Sequence, residues 1–303
     1  MRARFDSLEE AHRAVMEELS ERPDYESAPR GRPIRELVAV QFMLKDPRNR
    51  LIHSSARAVN YGFAVGELCW YLRGDTDLAT MLHYNRRMSQ FSDDGESINS
   101  AYGARILNPS VGGRNSQWEF CLLELTRDPD SRRAVMHINQ PRDLWRAVTV
   151  GSKDVPCTLS IQLLVRDRRL HMHVVMRSND VVWGFPYDVF SFTCLQEAFM
   201  LQLRDAGVPV DDVGFYYHTA GSLHVYETHY GMAGLVSKEP WSTPAPMSPF
   251  TLEGLETLAS QWEPEIRRSG LGTAVDRFGP SVEWMAVQLG NHFDKRTNEA
   301  KKQ

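Results

Sequence analysis

The sequence predicts one α/β domain spanning residues 1–303, with a mixed, largely antiparallel sheet, packed helices and a C-terminal helical extension from about residue 250. Three observations lead there. Segments of helical period and of period two follow one another along the chain. Cys157–Val165 and Leu170–Met176 alternate in polarity about Arg166-Asp-Arg-Arg, the pattern of a hairpin. No internal repeat, low-complexity tract or linker-like stretch divides the chain. A length of 303 residues is large for one domain but within the range of single α/β domains.

The first element is a helix over residues 7–22. Ser7 and Glu10 have capping-box spacing, Ala11, Val15, Met16 and Leu19 share a face, and Pro23 ends the helix. Ser27-Ala-Pro-Arg-Gly-Arg-Pro is a loop by its Pro and Gly content. Leu37–Leu44 reads as a strand, and Asp46-Pro-Arg-Asn-Arg as a turn. A helix covers about 61–73, Gly74-Asp-Thr-Asp closes it, and another begins near Leu78. Residues 85–104 are polar and loop-like. A helix near 116–127 leads through Asp128-Pro-Asp-Ser-Arg-Arg into a strand at 134–138. After the hairpin, a long apolar helix runs from Asp188 to about Ala206, and Gly207 terminates it. The tail adds helices near 251–269, capped by Thr251, and near 281–292. Lys301-Lys-Gln is expected to fray.

Composition excludes several classes. A hydrophobic share of 42% and a charged share of 24% suit a globular protein with a sizeable core. The formal charge is −4 and the basic residues are dispersed, so neither a nucleic-acid coat nor a polybasic membrane anchor is expected. The four cysteines, Cys69, Cys121, Cys157 and Cys194, form no CxxC pair and no zinc-like spacing with histidine, so no metal is expected. Met1-Arg-Ala-Arg-Phe-Asp is followed by no apolar signal core, and no apolar run reaches a membrane span of roughly 18–20 residues. A cytoplasmic location and reduced thiols are the expectation.

Reactive side chains concentrate between Val155 and Tyr230. Cys157 follows a proline at the start of a strand, unlike the other three cysteines, which lie in apolar helical surroundings. Outside that stretch several residues have two readings. Arg30 and Arg32 are solvated loop charges or a phosphate clamp. Adjacent Arg132 and Arg133 are surface charges or two guanidinium groups for one phosphate. Glu67, inside an apolar helix, is a desolvated carboxyl of raised pKa or part of an exposed stripe.

Five ordered motifs carry a resemblance over residues 30–230. They are Gly66-Glu-Leu-Cys-Trp-Tyr-Leu-Arg-Gly-Asp-Thr, Asp130-Ser-Arg-Arg, Val155-Pro-Cys, Arg177-Ser-Asn-Asp with Gly184-Phe-Pro-Tyr-Asp, and Leu223-His-Val-Tyr. On them the sequence resembles the thymidylate synthase superfamily, and within it the pyrimidine nucleotide hydroxymethylases. The resemblance implies a thymidylate synthase-like fold and an obligate homodimer. It implies an enzyme with 5,10-methylenetetrahydrofolate as co-substrate and a nucleotide as substrate. Cys157 would attack pyrimidine C6, making C5 nucleophilic toward the one-carbon unit. Arg177 would stabilise the thiolate and touch phosphate. Arg30, Ser178 and, from the partner subunit, residues Arg132 and Arg133 would complete the phosphate site. Glu67 would organise proton transfers and Tyr102 would serve removal of the C5 proton. His224 and Tyr226 would hold the sugar 3′-hydroxyl. Asp180 would bind the pterin ring, and Gly184 would let the ligands approach closely.

Departures from the synthase pattern set the expected specificity. Asp188 stands where uracil-type synthases have asparagine. A carboxyl can accept from cytosine N4–H₂ and share a proton with N3, whereas an asparagine suits uracil O4 and N3–H. The competing reading of Asp188 is a helix N-cap, which needs no ligand. Met88 and Phe91 replace a tryptophan-rich wall, which favours water over hydride as the final addend. Thr158 stands where synthases commonly have histidine, and Trp284-Met-Ala-Val is not a chain-terminal apolar tail. The expected activity is therefore 5-hydroxymethylation of dCMP, with CMP possible. The alternatives are a thymidylate synthase, a dUMP hydroxymethylase, or a catalytically silent nucleotide-binding dimer.

Overall fold

The computed structural model describes residues 2–109, 113–240, 244–270 and 278–300, so the fraying expected at Lys301-Lys-Gln lies outside the described residues. The chain opens with β1 (Arg2–Phe5), α1 (Leu8–Glu21), β2 (Tyr25–Ser27) and β3 (Ile34–Leu44). It continues through α2 (Tyr61–Leu72), α3 (Leu78–Tyr84), α4 (Tyr102–Leu107), α5 (Gln117–Arg127), β4 (Val135–His137) and α6 (Pro141–Val150). Then follow β5 (Thr158–Arg166), β6 (Arg169–Asp180), α7 (Phe185–Asp205), β7 (Asp212–Tyr226) and α8 (Tyr230–Lys238). The last helices are α9 (Leu252–Thr257), α10 (Glu263–Ser269) and α11 (Pro280–Ala300).

A seven-stranded sheet runs in the order β1-β3-β7-β6-β5-β4, with β2 beside β3. β1 with β3 and β6 with β7 are parallel, while β2 with β3, β3 with β7 and β5 with β6 are antiparallel. The expected mixed sheet is present. The β5–β6 hairpin closes through Asp167 and Arg168, both at positive φ (50° and 56°). Two such residues make the twist-matched turn of a tight hairpin. A bidentate pair from Arg168 to Asp211 holds its tip.

The chain divides into two compact units. The first comprises residues 1–59, 125–135 and 157–247. Its central helix is α7, apolar nearly all round and buried along nearly its whole length, as a core helix must be. The expected start at Asp188 is corrected. Gly184 is the N-cap and Pro186 sits in the first turn, so Asp188 is the fourth helical residue. That removes the cap reading of its side chain.

Several polar groups of α7 find partners within the core, although Ser191 Oγ and Gln196 Oε1 have none among the described residues. Gln196 Nε2 donates to Leu170 O (2.8 Å), and Arg48 Nε donates to Glu197 Oε1 (2.7 Å). Arg50 pairs with Glu197 Oε2 and donates to Cys194 Sγ at 2.9 Å. Glu197 and Arg50 side chains are 1% exposed. Glu197→Gln removes the carboxylate that pairs with buried Arg50, while Arg48 keeps Asp212 (2.8 Å), and breaking a buried pair costs about 3–5 kcal/mol. The expected result is a lower urea midpoint at unchanged slope.

The second unit comprises residues 60–124, 136–156 and 248–303. Asn60 caps α2 by accepting from Phe63 N, and Asp77 caps α3 by accepting from Thr80 N. Residues 85–104, expected to be loop, include a short 3₁₀ turn over Arg86–Phe91 and the start of α4. The single helix expected over 251–269 is interrupted by a π-helical turn at Leu258–Trp262. Glu263 follows it, fully buried. It accepts from Tyr84 Oη (2.6 Å), Arg73 Nη1 (2.8 Å) and Arg267 Nε (2.7 Å), which is why the register is worth breaking there.

Candidate active site

In the first unit Cys157 directly precedes β5, and its half-buried Sγ lies 3.6 Å from Arg177 Nη2. The pairing of the strands fixes this, since Arg177 N donates to Cys157 O at 2.8 Å. Burial pushes the thiol pKa above its ordinary value. Arg177 and Arg30 pull it down, and Asp188 and Asp180 push it up. Arg177 thus acts in the direction expected of it, toward the thiolate, against a larger opposing influence from desolvation.

Arg30 is exposed on a turn with φ 55° and ψ 33°, a left-handed backbone uncommon for a residue with a side chain. Its neighbour Arg32 lies over the Tyr226 ring, 4.1 Å from the centroid. Arg132 and Arg133 are exposed just before β4, and Gln162 Nε2 donates to Arg132 O (2.9 Å).

On β6 the residues Arg177, Ser178, Asn179 and Asp180 follow one another, and parallel pairing sets Ser178 opposite Ser222 and Asp180 opposite His224. His224 is buried, its pKa is lowered by burial, and its Nδ1 has no hydrogen-bond partner. The Tyr226 ring meets it edge-on at 5.2 Å. Glu36 stands opposite His224 on β3 and accepts from Ser222 Oγ and Ser27 Oγ.

Asp180 Oδ1 accepts from Val182 N (2.8 Å) and Trp183 N (3.2 Å), so this carboxylate builds the turn into α7. Two buried side chains brace the same turn. His12 Nε2 contacts Val181 O at 3.2 Å, and Arg57 Nε donates to Val182 O at 3.0 Å. Burial, with Arg57 next in weight, pushes the His12 pKa down to about 3, so the imidazole is neutral.

Past the turn, Asp188 is buried and accepts from Asn179 Nδ2 at its Oδ2 (2.7 Å). Desolvation raises its pKa to about 7; the Asn179 bond opposes this and Asp180 adds to it. Asn179 Oδ1 is buried without a partner. Gly184 makes the pair possible. A Cβ there would stand 2.7 Å from Asn179 Nδ2 and 3.0 Å from Asp188 Oδ2. The glycine expected to admit ligand admits this side-chain pair. Nothing in the sequence marks Asn179 for a role of its own, although Arg177 and Asn179 share a strand face by period two.

Glu67 and Tyr102 belong to the second unit. Glu67 is buried in α2, which excludes the exposed-stripe reading. Tyr102 opens α4, half-buried, with its ring 5.7 Å from Tyr71. A Cβ on Gly103 would be 2.3 Å from Tyr71 Cα, so only glycine lets α4 lie this close to α2. Met88 and Phe91 lie on the 3₁₀ turn, and Trp284 packs edge-on against Tyr61 at 5.2 Å. Among the described residues no group of His, Cys, Asp and Glu could hold a metal ion, and no helix is long and apolar enough to cross a membrane.

A family model described as Thymidylate synthase matches residues 10–252. A deoxyuridylate hydroxymethyltransferase of Bacillus phage SP01 is 36% identical over 212 residues, 67% of this chain and 53% of the relative. A deoxycytidylate 5-hydroxymethyltransferase of Enterobacteria phage T6 is 37% identical over 141 residues, 46% of this chain and 55% of the relative. The chain thus spans about half the length of these relatives. The thermostable thymidylate synthase A from Bacillus subtilis shares the fold, with a TM-score of 0.61 at 20% identity over 79% of this chain and 87% of that one.

Proposed function

This chain belongs to the thymidylate synthase family, and from that premise we propose that it is a 5-hydroxymethyltransferase acting on a cytidine monophosphate, with dCMP preferred and CMP second. The co-substrate is 5,10-methylenetetrahydrofolate, which supplies the one-carbon unit. Cys157 Sγ adds to C6 of the base, and electron density moves to C5, which bonds to the one-carbon unit. Tyr102 takes the C5 proton, and tetrahydrofolate leaves from the one-carbon unit as the exocyclic methylene forms, with the sulfur still bonded to C6. Water adds to that methylene, and the Cys157 thiolate then leaves C6 as the C5–C6 double bond re-forms, giving the hydroxymethyl product. Glu67 orders the water and proton movements.

Arg177, Arg30 and Ser178 hold phosphate, with Arg132 and Arg133 donated by a second copy; the exposure of the last two supports that role. The orphaned Nδ1 of His224 supports a sugar hydroxyl as its partner. Asp180 has one carboxylate oxygen without a hydrogen bond among the described residues, which fits an acceptor for the pterin ring.

One observation carries the choice of base: the buried Asp188–Asn179 pair. Asn179 uses its amide as donor to Asp188, so a bare acceptor, Asn179 Oδ1, remains beside a carboxyl that is half-protonated near pH 7. An acceptor with a protonated carboxyl matches cytosine N4–H₂ and N3. It mismatches uracil, whose O4 needs a donor. The relative from phage SP01, named for deoxyuridylate, favours a second reading in which dUMP is the substrate.

Tritium release from C5 of labelled dCMP, CMP and dUMP, each with methylenetetrahydrofolate, separates these readings. Fastest release from dCMP, a hydroxymethyl product by mass and no dihydrofolate are expected. Faster release from dUMP would exclude the cytosine reading. The pH profile gives a second check. Thiolate increases with pH, while the acid form of Asp188 is lost above about pH 7. Log kcat/KM for dCMP should rise with unit slope to about pH 7 and then level off.

A further inference from the structure

Two segments of the second unit are joined by a pair of carboxylates. Asp93 accepts from Ser152 Oγ, from Lys153 N (3.0 Å) and from Arg146 Nη2 (3.2 Å). In return Asp154 Oδ2 accepts from Asn99 N, and its Oδ1 accepts from Ser100 N at 2.9 Å. Each carboxylate thus grips the backbone of the other's segment. Asp154 is 3% exposed, the buried member of the two.

The grip falls just ahead of Tyr102. Asn99 is held from both sides, since Arg105 Nε donates to its carbonyl (3.0 Å). Arg105 is itself fixed by a bidentate pair with Asp143, at 2.5 and 2.8 Å. Ala101, the residue after Ser100, is the N-cap position of α4, and no side chain caps that helix. A helix of six residues without a cap does not set its own first turn. What sets it is the backbone of 99–100. Asp154 also precedes Val155-Pro156-Cys157, so the same anchor fixes where that segment leaves the unit.

We infer that Asp154 is a positioning residue for Tyr102, its two oxygens holding consecutive amides so that the phenol is presented at a fixed angle for C5 proton removal. The inference rests on the role of Tyr102 proposed above. No charge or proton passes through Asp154; it never meets the nucleotide. Two acceptor oxygens on adjacent N–H groups fix both translation and tilt of the turn, and a misplacement on the order of 1 Å can lower a rate roughly 100-fold.

Asp154→Asn keeps the shape but turns one acceptor into a donor facing an N–H. Asp154 and Asn99 border a cavity of about 600 Å³, so the substitution has room. Asp154→Glu keeps both acceptors and serves as the conservative variant. With dCMP, CMP and dUMP, each tritiated at C5, Asp154→Asn should lower kcat roughly 10- to 100-fold at nearly unchanged KM. It should also raise the C5 isotope effect on kcat/KM, because proton removal becomes slower. Asp154→Glu should recover part of the rate.

The decisive measurement is the double variant. If Asp154 acts through Tyr102, Asp154→Asn with Tyr102→Phe is no slower than Tyr102→Phe alone. Multiplying losses, or a lowered kcat with an unchanged isotope effect, would overturn the inference while leaving the Tyr102 assignment intact. Full activity of Tyr102→Phe would overturn that assignment and this inference with it.

Discussion

Cys157→Ser is expected to reduce tritium release from C5 to background, a loss on the order of 10⁶-fold. The size follows from the nucleophile. A serine hydroxyl in the half-buried place of Sγ is almost wholly protonated, and the surroundings that push the thiol pKa up push an alkoxide further. Arg177, 3.6 Å away, offsets part of that penalty for a thiolate, but a serine hydroxyl is so much less acidic than a thiol that the variant offers it almost no anion to stabilise. Phosphate and sugar contacts do not use the sulfur, so dCMP should still bind, as calorimetry would show. Cys121→Ser is the control. Its sulfur is buried in α5, with its pKa pushed up to about 12 by burial, and it should leave the rate unchanged. Activity within tenfold of normal in Cys157→Ser would remove the nucleophile from the mechanism.

Asp188→Asn should reverse base preference, moving the ratio of kcat/KM for dCMP over dUMP by about 10³-fold toward uracil. Mismatched buried hydrogen-bond partners discriminate at about 10⁴–10⁵ in favourable sites, and here one of two polar contacts changes. The new amide can turn its oxygen to Asn179 Nδ2, keeping the existing bond, and its NH₂ toward uracil O4. The levelling of the rate near pH 7 should disappear with the carboxyl. Stability should respond as well. The folded-state pKa is raised from 3.8 to about 7, so between those values the folded chain holds a proton that the unfolded chain has lost. Stability therefore falls as pH rises across that window, by an amount on the order of a few kcal/mol. Asp188→Asn removes this penalty. Its melting temperature should exceed that of the parent at pH 8 and match it more closely at pH 4. A gain that is larger at pH 4 would contradict the assignment of the buried carboxyl.

The helices were largely readable because caps and apolar periods are local. Ser7, Asp77 and Thr251 mark true N-caps, and the hairpin at 157–176 announces its own turn. The 15-residue β7 was not read as a strand. Its Gly, His and Ser positions blur the alternation, and what makes it a strand is pairing with β3 and β6, remote in sequence. Parallel register is likewise a property of partners, so the alignment of Asp180 with His224 is invisible until the sheet is assembled. The start of α7 was misplaced because Asp188 is a good cap by type. Pro186 in the first turn was the signal that outranked it. At the thiol, the arginine is legible from a motif, whereas the desolvation that opposes it is not. Asp154 carries no motif at all, since its partners lie 54 and 55 residues away.

The missing side chain at Gly184 has a consequence for how such a chain can change over generations. Three positions, 179, 184 and 188, share one small volume, and their tolerances are conditional on one another. A mutation at 188 to asparagine, equal in size to aspartate, meets no steric obstacle and, on the role proposed for Asp188, is the one-step route toward a different base. A mutation at 184 to any residue with a side chain must shift both members of the pair, Asn179 by more than Asp188. A change at 188 that keeps its size therefore leaves the fit with the glycine intact, whereas a change at 184 is felt at 179 and 188 together.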